Sequence, residues 1–367
     1  MKNKKPKVLH IISSLQQGGA ERQLIELVKK NKNHAICQLI SGNAFEDEVN
    51  DNKIKIFDLK TKNIFSFIIN LYKLNKIINY YNPDVINTWM YHSSLMIIVL
   101  KLMKIKNNIP LIWGLRCSNM DTSHYSILLK MVIKFCKFFS HIPDIIINNS
   151  KAGLDFHKKL GFKNKHTVIH NGIDTSRFLL NEKFRNNFRS QYKIHKDAIV
   201  LLCVGRNDPM KDHDTLIKAF KKLNRKFPSV ILLLAGLGTE KIKNLNNIIT
   251  LGPRKDIEYI YSSSDIIISS SAFGEGFSNA LAEGMSSKLI PIATEVGDSK
   301  YILGNIGKLI KPKSINELYK AIEYMLELDK DNFENQKKLA RKRILNNFSQ
   351  NKMMSSYNKL YAEIVDK

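Results

Sequence analysis

Cysteine is scarce in this chain. Four occur in 367 residues, Cys37, Cys117, Cys136 and Cys203, and no two of them form a Cys-x-x-Cys pair. That argues against a disulfide framework or a zinc site and for reduced core thiols in a cytosolic protein. Long apolar runs are missing too: nowhere do about 18 uncharged apolar residues follow one another. The stretch from Leu95 to Ile105 is interrupted by Lys101 and Lys104, so no membrane span is expected. The basic start, Met1 to Lys7, leads into an apolar run from Val8 to Ile12, too short for the core of a secretory signal. Acidic residues are outnumbered, 33 Asp and Glu against 58 Lys and Arg, for a formal charge of +25. Such an excess implies an anionic partner, which nucleic acid, an anionic membrane face or a phosphorylated substrate would each satisfy. Part of it belongs to a background rich in Lys, Asn and Ile. With no Arg-rich tail and no RNA-recognition or helix-turn-helix signature, nucleic acid is not the expected partner.

What is present is ordinary globular composition, 44% apolar and 25% charged, in a chain long enough for two or three domains at roughly 150 residues each. Strand patterns at Val8 to Ile12, Ala35 to Ile40, Ile54 to Leu59, Asp84 to Trp89, Leu111 to Leu115, Asp144 to Asn148 and Thr167 to His170 alternate with helical patterns. That alternation predicts a doubly wound parallel sheet. The turn Asn171-Gly172-Ile173-Asp174 and a polar stretch to Lys196 read as a linker containing a helix. A second alternation then begins at Ile199 to Gly205 and continues with a helix at Asp212 to Phe227. Its further strands are expected at Val230 to Ala235, Ile248 to Leu251, Asp265 to Ser270 and Leu289 to Ala293. The expected domains are 1–175 and 176–350, with helical residues 351–367 closing the chain.

The stretch around which the second half is organised runs from Ser271 to Gly284, between the strand at Asp265 and a helix from Ser278 onward. Gly274 and Gly276 let the backbone approach a ligand, and the first N–H groups of the helix favour a phosphate there. Glu275 sits in the loop where a sugar would lie. Glu283, five residues beyond Ser278 and so about 7–8 Å along the helix, is placed to accept hydrogen bonds from a ribose. Arg206 and Lys211, five apart on the loop after the strand at Ile199, are both permanently charged and suited to a diphosphate. In the first half, Gly18-Gly19 follows the first strand and precedes a helix near Ala20, at the edge where an open α/β sheet binds its ligand. It reads equally well as a flexible helix-capping loop.

The run Glu275-Gly-Phe-Ser-Asn-Ala-Leu-Ala-Glu283-Gly resembles the Glu-x7-Glu signature of the retaining family-four glycosyltransferases. The resemblance extends to Gly18-Gly19-Ala20-Glu21-Arg22, Asn171 to Asp174 and Pro291 to Asp298. It implies the α/β fold known as GT-B, two doubly wound Rossmann-like domains facing a central cleft, with the last helix crossing back to the first domain. It further implies that a sugar is moved, with retention, from a nucleotide-sugar donor, a UDP-sugar being expected. Hexosyl and N-acetylhexosaminyl transfer both remain open. Catalytic roles fall on Glu275, Arg206 and Lys211. Donor contacts fall on Gly18, Gly19, Arg206, Lys211, Arg254, Gly276, Phe277, Ser278, Asn279 and Glu283, with no metal or other cofactor because fixed cations meet the leaving diphosphate. Many members of the family carry a His after the strand at Leu111; here Arg116 holds that place and is assigned a donor or acceptor contact, with His92 as a second candidate.

Two helical patterns bear on location. Ser126 to Phe139 sets Lys130, Lys134 and Lys137 at i, i+4 and i+7 among large apolar residues, and Ile64 to Tyr81 carries Lys73 and Lys76 in a similar setting. A basic amphipathic helix can lie on an anionic bilayer, although burial in a core is the commoner fate of either pattern. The expected acceptor is therefore a lipid-linked or growing surface glycan of O-antigen, lipopolysaccharide or capsule type, at the inner face of the cell membrane. The alternatives are a nucleotide-sugar epimerase or phosphorylase of the same fold, or a basic protein that binds glycans or nucleic acid without chemistry.

Overall fold

The computed structural model describes residues 5–16, 18–62, 64–103, 105, 108–118, 127–242 and 246–366. Ser126, at the start of one predicted amphipathic helix, and Lys104, in the interrupted apolar run, lie outside them. The chain divides into two units, residues 1–171 with 351–367, and residues 172–350.

The first unit is an alternation of β1 (Val8–Ile12), α1 (Gly19–Val28), β2 (His34–Gln38), α2 (Glu46–Asp51), β3 (Lys55–Asp58), α3 (Ile64–Tyr81), β4 (Val85–Trp89) and α4 (Met90–Leu102). It continues with β5 (Leu111–Leu115), α5 (Ile127–Phe138), β6 (Ile145–Asn148), α6 (Lys151–Leu160) and β7 (His166–Val168). The seven strands are parallel, in the order β3-β2-β1-β4-β5-β6-β7. Strands β1, β2, β4 and β5 are buried along their whole length, which is why they read as apolar runs rather than alternations. Helices α3, α4 and α5 cover one face through Leu74, Ile78, Met96, Ile97, Val132 and Cys136. On the other face α1 packs through Leu24, Ile25 and Val28.

The second unit opens with α7 (Glu182–Gln191) and then alternates β8 (Val200–Val204), α8 (His213–Asn224), β9 (Ile231–Ala235), β10 (Ile248–Thr250), α9 (Ile257–Ser263), β11 (Ile266–Ser269) and α10 (Asn279–Ser286). It closes with β12 (Ile290–Thr294), α11 (Ser299–Leu303), β13 (Lys308–Ile310), α12 (Ile315–Leu326) and α13 (Lys330–Asn347). Its six parallel strands run β10-β9-β8-β11-β12-β13. Strand β13 escapes the sequence reading because three residues carry too little pattern. Helix α8 buries Leu216, Ala219, Phe220 and Leu223 at helical spacing and starts at Asp212, whose side chain accepts from Thr215 N.

Helix α14 (Gln350–Val365) ends the chain. Its Met353, Tyr357, Tyr361 and Ile364 pack with Val8, Ile12, Trp89 and Ile145, on the α1 face of the first sheet.

Candidate active site

In the six-stranded sheet the winding reverses between β8 and β11, and in open α/β sheets ligands bind outside the carboxyl ends of the strands at such a reversal. Two loops rise there, residues 205–212 after β8 and 270–278 after β11. They are stitched together: Ala272 N donates to Met210 O at 2.8 Å, and Ser270 Oγ to Lys211 O at 2.8 Å. The next strands come close behind. A Cβ at Gly236 would lie 2.2 Å from Gly205 O, and one at Gly297 2.2 Å from Glu275 O, both at positive φ. Only glycine fits these places.

Between the two loops the Lys211 ammonium is ion-paired to the Glu275 carboxylate, which also accepts from Ser271 Oγ at 3.0 Å. Glu275 is 8% exposed, so burial pushes its carboxyl pKa up. The Lys211 charge and the Lys211 and Ser271 hydrogen bonds outweigh that, and the net shift is down. For Lys211, burial pulls down and Glu275 more than restores it, so the net shift is up. Both groups are charged at neutral pH.

Glu283, on α10, is half-buried and accepts from the Tyr261 hydroxyl at 2.9 Å. Burial and the neighbouring carboxylate drive the Tyr261 pKa well up, so the phenol stays a donor. At the start of α10, Ser278 stands at the N-cap without a side-chain capping bond. Gly276 O accepts from Asp298 N at 2.9 Å, and the Phe277 ring is buried against Phe348.

Arg206 and Lys211 are not equivalent. The Arg206 side chain is 65% exposed and lies 3.4 Å from Asp208, whereas that of Lys211 is 18% exposed. Arg254 is held by Asp256 at 2.7 Å and by the Tyr192 hydroxyl at 3.2 Å. Two Asp-x-Asp triplets occur in the chain, Asp212-His213-Asp214 and Asp329-Lys330-Asp331. In each the first aspartate caps a helix, α8 or α13.

In the first unit Gly18 is the N-cap of α1, and a Cβ there would meet the Glu21 carboxylate at 2.3 Å. Arg22 pairs with Glu48 and stacks over Phe45. The Arg116 guanidinium lies 4.2 Å from the centre of the Trp89 ring and donates to Asn171 Oδ1 at 2.7 Å and to the Tyr357 hydroxyl at 3.0 Å. Its Nε has no hydrogen-bond partner among the described residues. Arg116 thus fastens α14 through the Tyr357 hydroxyl. His92 is exposed on α4.

The side chains that sequence reasoning did not single out are Tyr261 and Ser271, which hold the two glutamates, and His213, buried beside Lys211. Only Ser271 had a signal, its place in the organising stretch.

Residues 17–177 match the model described as Glycosyltransferase Family 4, and residues 184–343 that described as Glycosyl transferases group 1. An uncharacterized glycosyltransferase of Methanocaldococcus jannaschii is 30% identical over 270 residues, 68% of this chain and 65% of the relative. The Campylobacter jejuni N-acetylgalactosamine-N,N'-diacetylbacillosaminyl-diphospho-undecaprenol 4-alpha-N-acetylgalactosaminyltransferase is 27% identical over 198 residues, 51% of this chain and 52% of the relative. The chain therefore matches between about half and two thirds of the length of these relatives. Among solved structures, Anabaena HepE in complex with UDP superimposes with a TM-score of 0.84 at 19% identity, over 97% of this chain and 100% of that one.

Proposed function

Because this chain is built from a Glycosyltransferase Family 4 domain and a Glycosyl transferases group 1 domain on two Rossmann-like sheets, a GT-B glycosyltransferase, we propose that it transfers a hexosyl or N-acetylhexosaminyl group from a UDP-sugar, with retention, to a lipid-linked or growing surface glycan. The observation that carries this reading is the buried Lys211–Glu275 pair at the switch point, with Glu283 one helix turn and more beyond it. The bond that breaks joins the anomeric carbon of the sugar to a phosphate oxygen, and negative charge grows on that oxygen. Lys211, Arg206 and the N–H groups opening α10 face that charge, and Glu275 holds the sugar hydroxyls. Fixed donors of this kind supply a large part of many rate enhancements. Glu283, oriented by Tyr261, receives the ribose hydroxyls. These cations do the work of a metal, so chelation with EDTA leaves transfer unchanged.

A surface of the first unit supports this acceptor and its place at the membrane. Helices α3 and α5 expose Phe65, Ile68, Tyr72, Ile127, Met131 and Phe138 beside Lys73, Lys134 and Lys137, a surface suited to the cytoplasmic face of an anionic membrane. No described helix is long and apolar enough to span one.

The test is a thermal-shift series with UDP, GDP, ADP and CMP, followed by transfer from the matching nucleotide-sugar to a lipid diphosphate acceptor. A ligand that binds only the native state raises the melting temperature, by an amount set by its concentration over its Kd. UDP raises it in the wild type and not in Glu283→Ala. No shift with any nucleotide, together with no transfer, overturns the reading.

A further inference from the structure

His213 is the first residue of α8 and follows Lys211 by two. It is 2% exposed, and neither ring nitrogen has a hydrogen-bond partner among the described residues. Its neighbour Asp212 sits at φ +48, a left-handed conformation that costs energy outside glycine, and uses one carboxylate oxygen to cap α8 while the other is buried with no hydrogen-bond partner among the described residues. Buried polar atoms left unpaired are rare, and each loses about 1–3 kcal/mol of solvation that it does not recover. Three in two adjacent residues, directly after Lys211, make this turn the least satisfied polar spot of the second unit's described side chains.

The environment keeps the imidazole neutral. Burial lowers its pKa, the Lys211 charge lowers it further, and Asp208, Asp212 and Asp214 oppose them. A neutral imidazole carries one N–H and one lone pair. The lone pair is the feature that matters beside an ammonium, because it accepts an N–H without cancelling the charge, whereas a carboxylate neutralises it.

We propose that His213 is a positioning residue for Lys211, the neutral acceptor that receives the ammonium when Glu275 lets it go. The proposal rests on the reading of the site as one for a nucleotide-sugar diphosphate. There Glu275 is needed by the sugar and Lys211 by the phosphate, and the pair has to separate. With three N–H bonds on one nitrogen, Lys211 gives one to His213 and aims the others at the phosphate at undiminished charge. The helix start at His213 is fixed by the Asp212 cap and by the burial of Leu216 and Phe220, so the acceptor stands on a rigid element.

The decisive experiment needs no ligand. A double-mutant cycle on the melting temperature of the full chain combines Glu275→Ala, which removes the competing carboxylate and leaves no side-chain acceptor in its place, with His213→Phe, which removes the acceptor at similar volume. In wild-type background His213→Phe changes the melting temperature little, because only unpaired polar atoms are lost. In the Glu275→Ala background it removes a neutral acceptor from a buried ammonium that has lost its carboxylate, and the loss exceeds the sum of the single effects by about 3 °C or more. His213→Asn, which keeps an acceptor, restores part of that excess, as a residue with a merely packing role does not. Additive effects, or an equal loss with Asn and Phe, overturn the proposal. On the active enzyme His213→Phe raises KM for the nucleotide-sugar about tenfold or more while the melting temperature holds. A protein that binds no nucleotide but shows the coupling sinks the donor-site reading and keeps the Lys211–His213 contact.

Discussion

Glu275 and Lys211 are largely buried and are charge partners, and that shapes any substitution at either position. Removing one member of a buried ion pair leaves the other uncompensated, at a cost of about 3–5 kcal/mol. Glu275→Ala therefore lowers both activity and the melting temperature, the latter by roughly 10 °C for a unit of this size. Glu275→Gln keeps the hydrogen-bonding shape and loses less stability, yet transfer still falls by about 10²–10³-fold. Calorimetry beside a transfer assay separates the two effects; equal rates for Glu275→Gln and wild type remove Glu275 from the chemistry. At this scale the sequence was informative where residues lie close along the chain. Gly274 to Gly284 and Gly205 to Asp212 are local, so their chemistry is readable from spacing. Arg116 was not: its partners Trp89, Asn171 and Tyr357 lie up to 241 residues away, and nothing near Arg116 in the chain announces them.

Helix α7 shows the same limit for whole elements. It reads as a polar linker helix, but its Arg185 and Arg189 converge on Asp265 at 2.8 and 2.9 Å, and Asp265 also accepts from Val200 N at 3.0 Å. One carboxylate thus joins α7 to the start of β8 and β11, the two strands that carry the site. Asp265→Ala takes the carboxylate from the buried Arg189 and the partly buried Arg185 and costs about 3–5 kcal/mol, read as a lower midpoint in urea unfolding with an unchanged slope. The first unit has its own buried polar joint beneath α14. Trp89 Nε1 donates to His10 Nδ1 at 3.1 Å, His10 Nε2 lies 3.0 Å from His34 Nδ1, and the Tyr361 hydroxyl donates to Asn87 Oδ1 at 2.8 Å. With its Nδ1 accepting, neutral His10 carries its proton on Nε2 and donates to His34. Burial lowers the pKa of His10 well below 6.5, and burial with the Lys5 charge lowers that of His34 to about 4. The unfolded chain thus binds more protons than the folded one below pH 6.5. The stabilisation is present in full above pH 6.5 and is lost as the pH falls toward about 4, by roughly 3 kcal/mol for His34. Replacing His34 with Gln flattens the unfolding free energy between pH 6.5 and 4; an unaltered slope shows that other groups set the acid limit.

At the scale of the whole molecule the largest unexplained quantity in the sequence was charge, +25 over 367 residues. The strand and helix alternation was legible because buried parallel strands are continuous apolar runs, but periodicity could not say which amphipathic helices face a core and which face outward. The fold answers this for α3 and α5. Each buries one stripe against the sheet, Leu74 and Ile78 in one and Val132 and Cys136 in the other, with α4 between them. Each still leaves large apolar side chains exposed, Phe65 at 75%, Ile127 at 76% and Phe138 at 73%. Exposed apolar side chains on two helices of the same sheet face, flanked by lysines, mark an interaction surface rather than scattered surface residues. Lysines near an anionic bilayer contribute about 1 kcal/mol each, so Lys130, Lys134 and Lys137 changed together to Gln weaken partition onto phosphatidylglycerol vesicles by roughly a hundredfold. Screening shortens the reach of the same charges at high salt, and wild-type binding falls with it. Phe138→Ser with Ile127→Ser reduces the salt-resistant remainder, because that part comes from apolar insertion. Vesicle sedimentation of the full chain reads all three. Binding that ignores both the lysine and the apolar changes places the anionic partner elsewhere, and the charge then belongs to substrate capture rather than to a membrane.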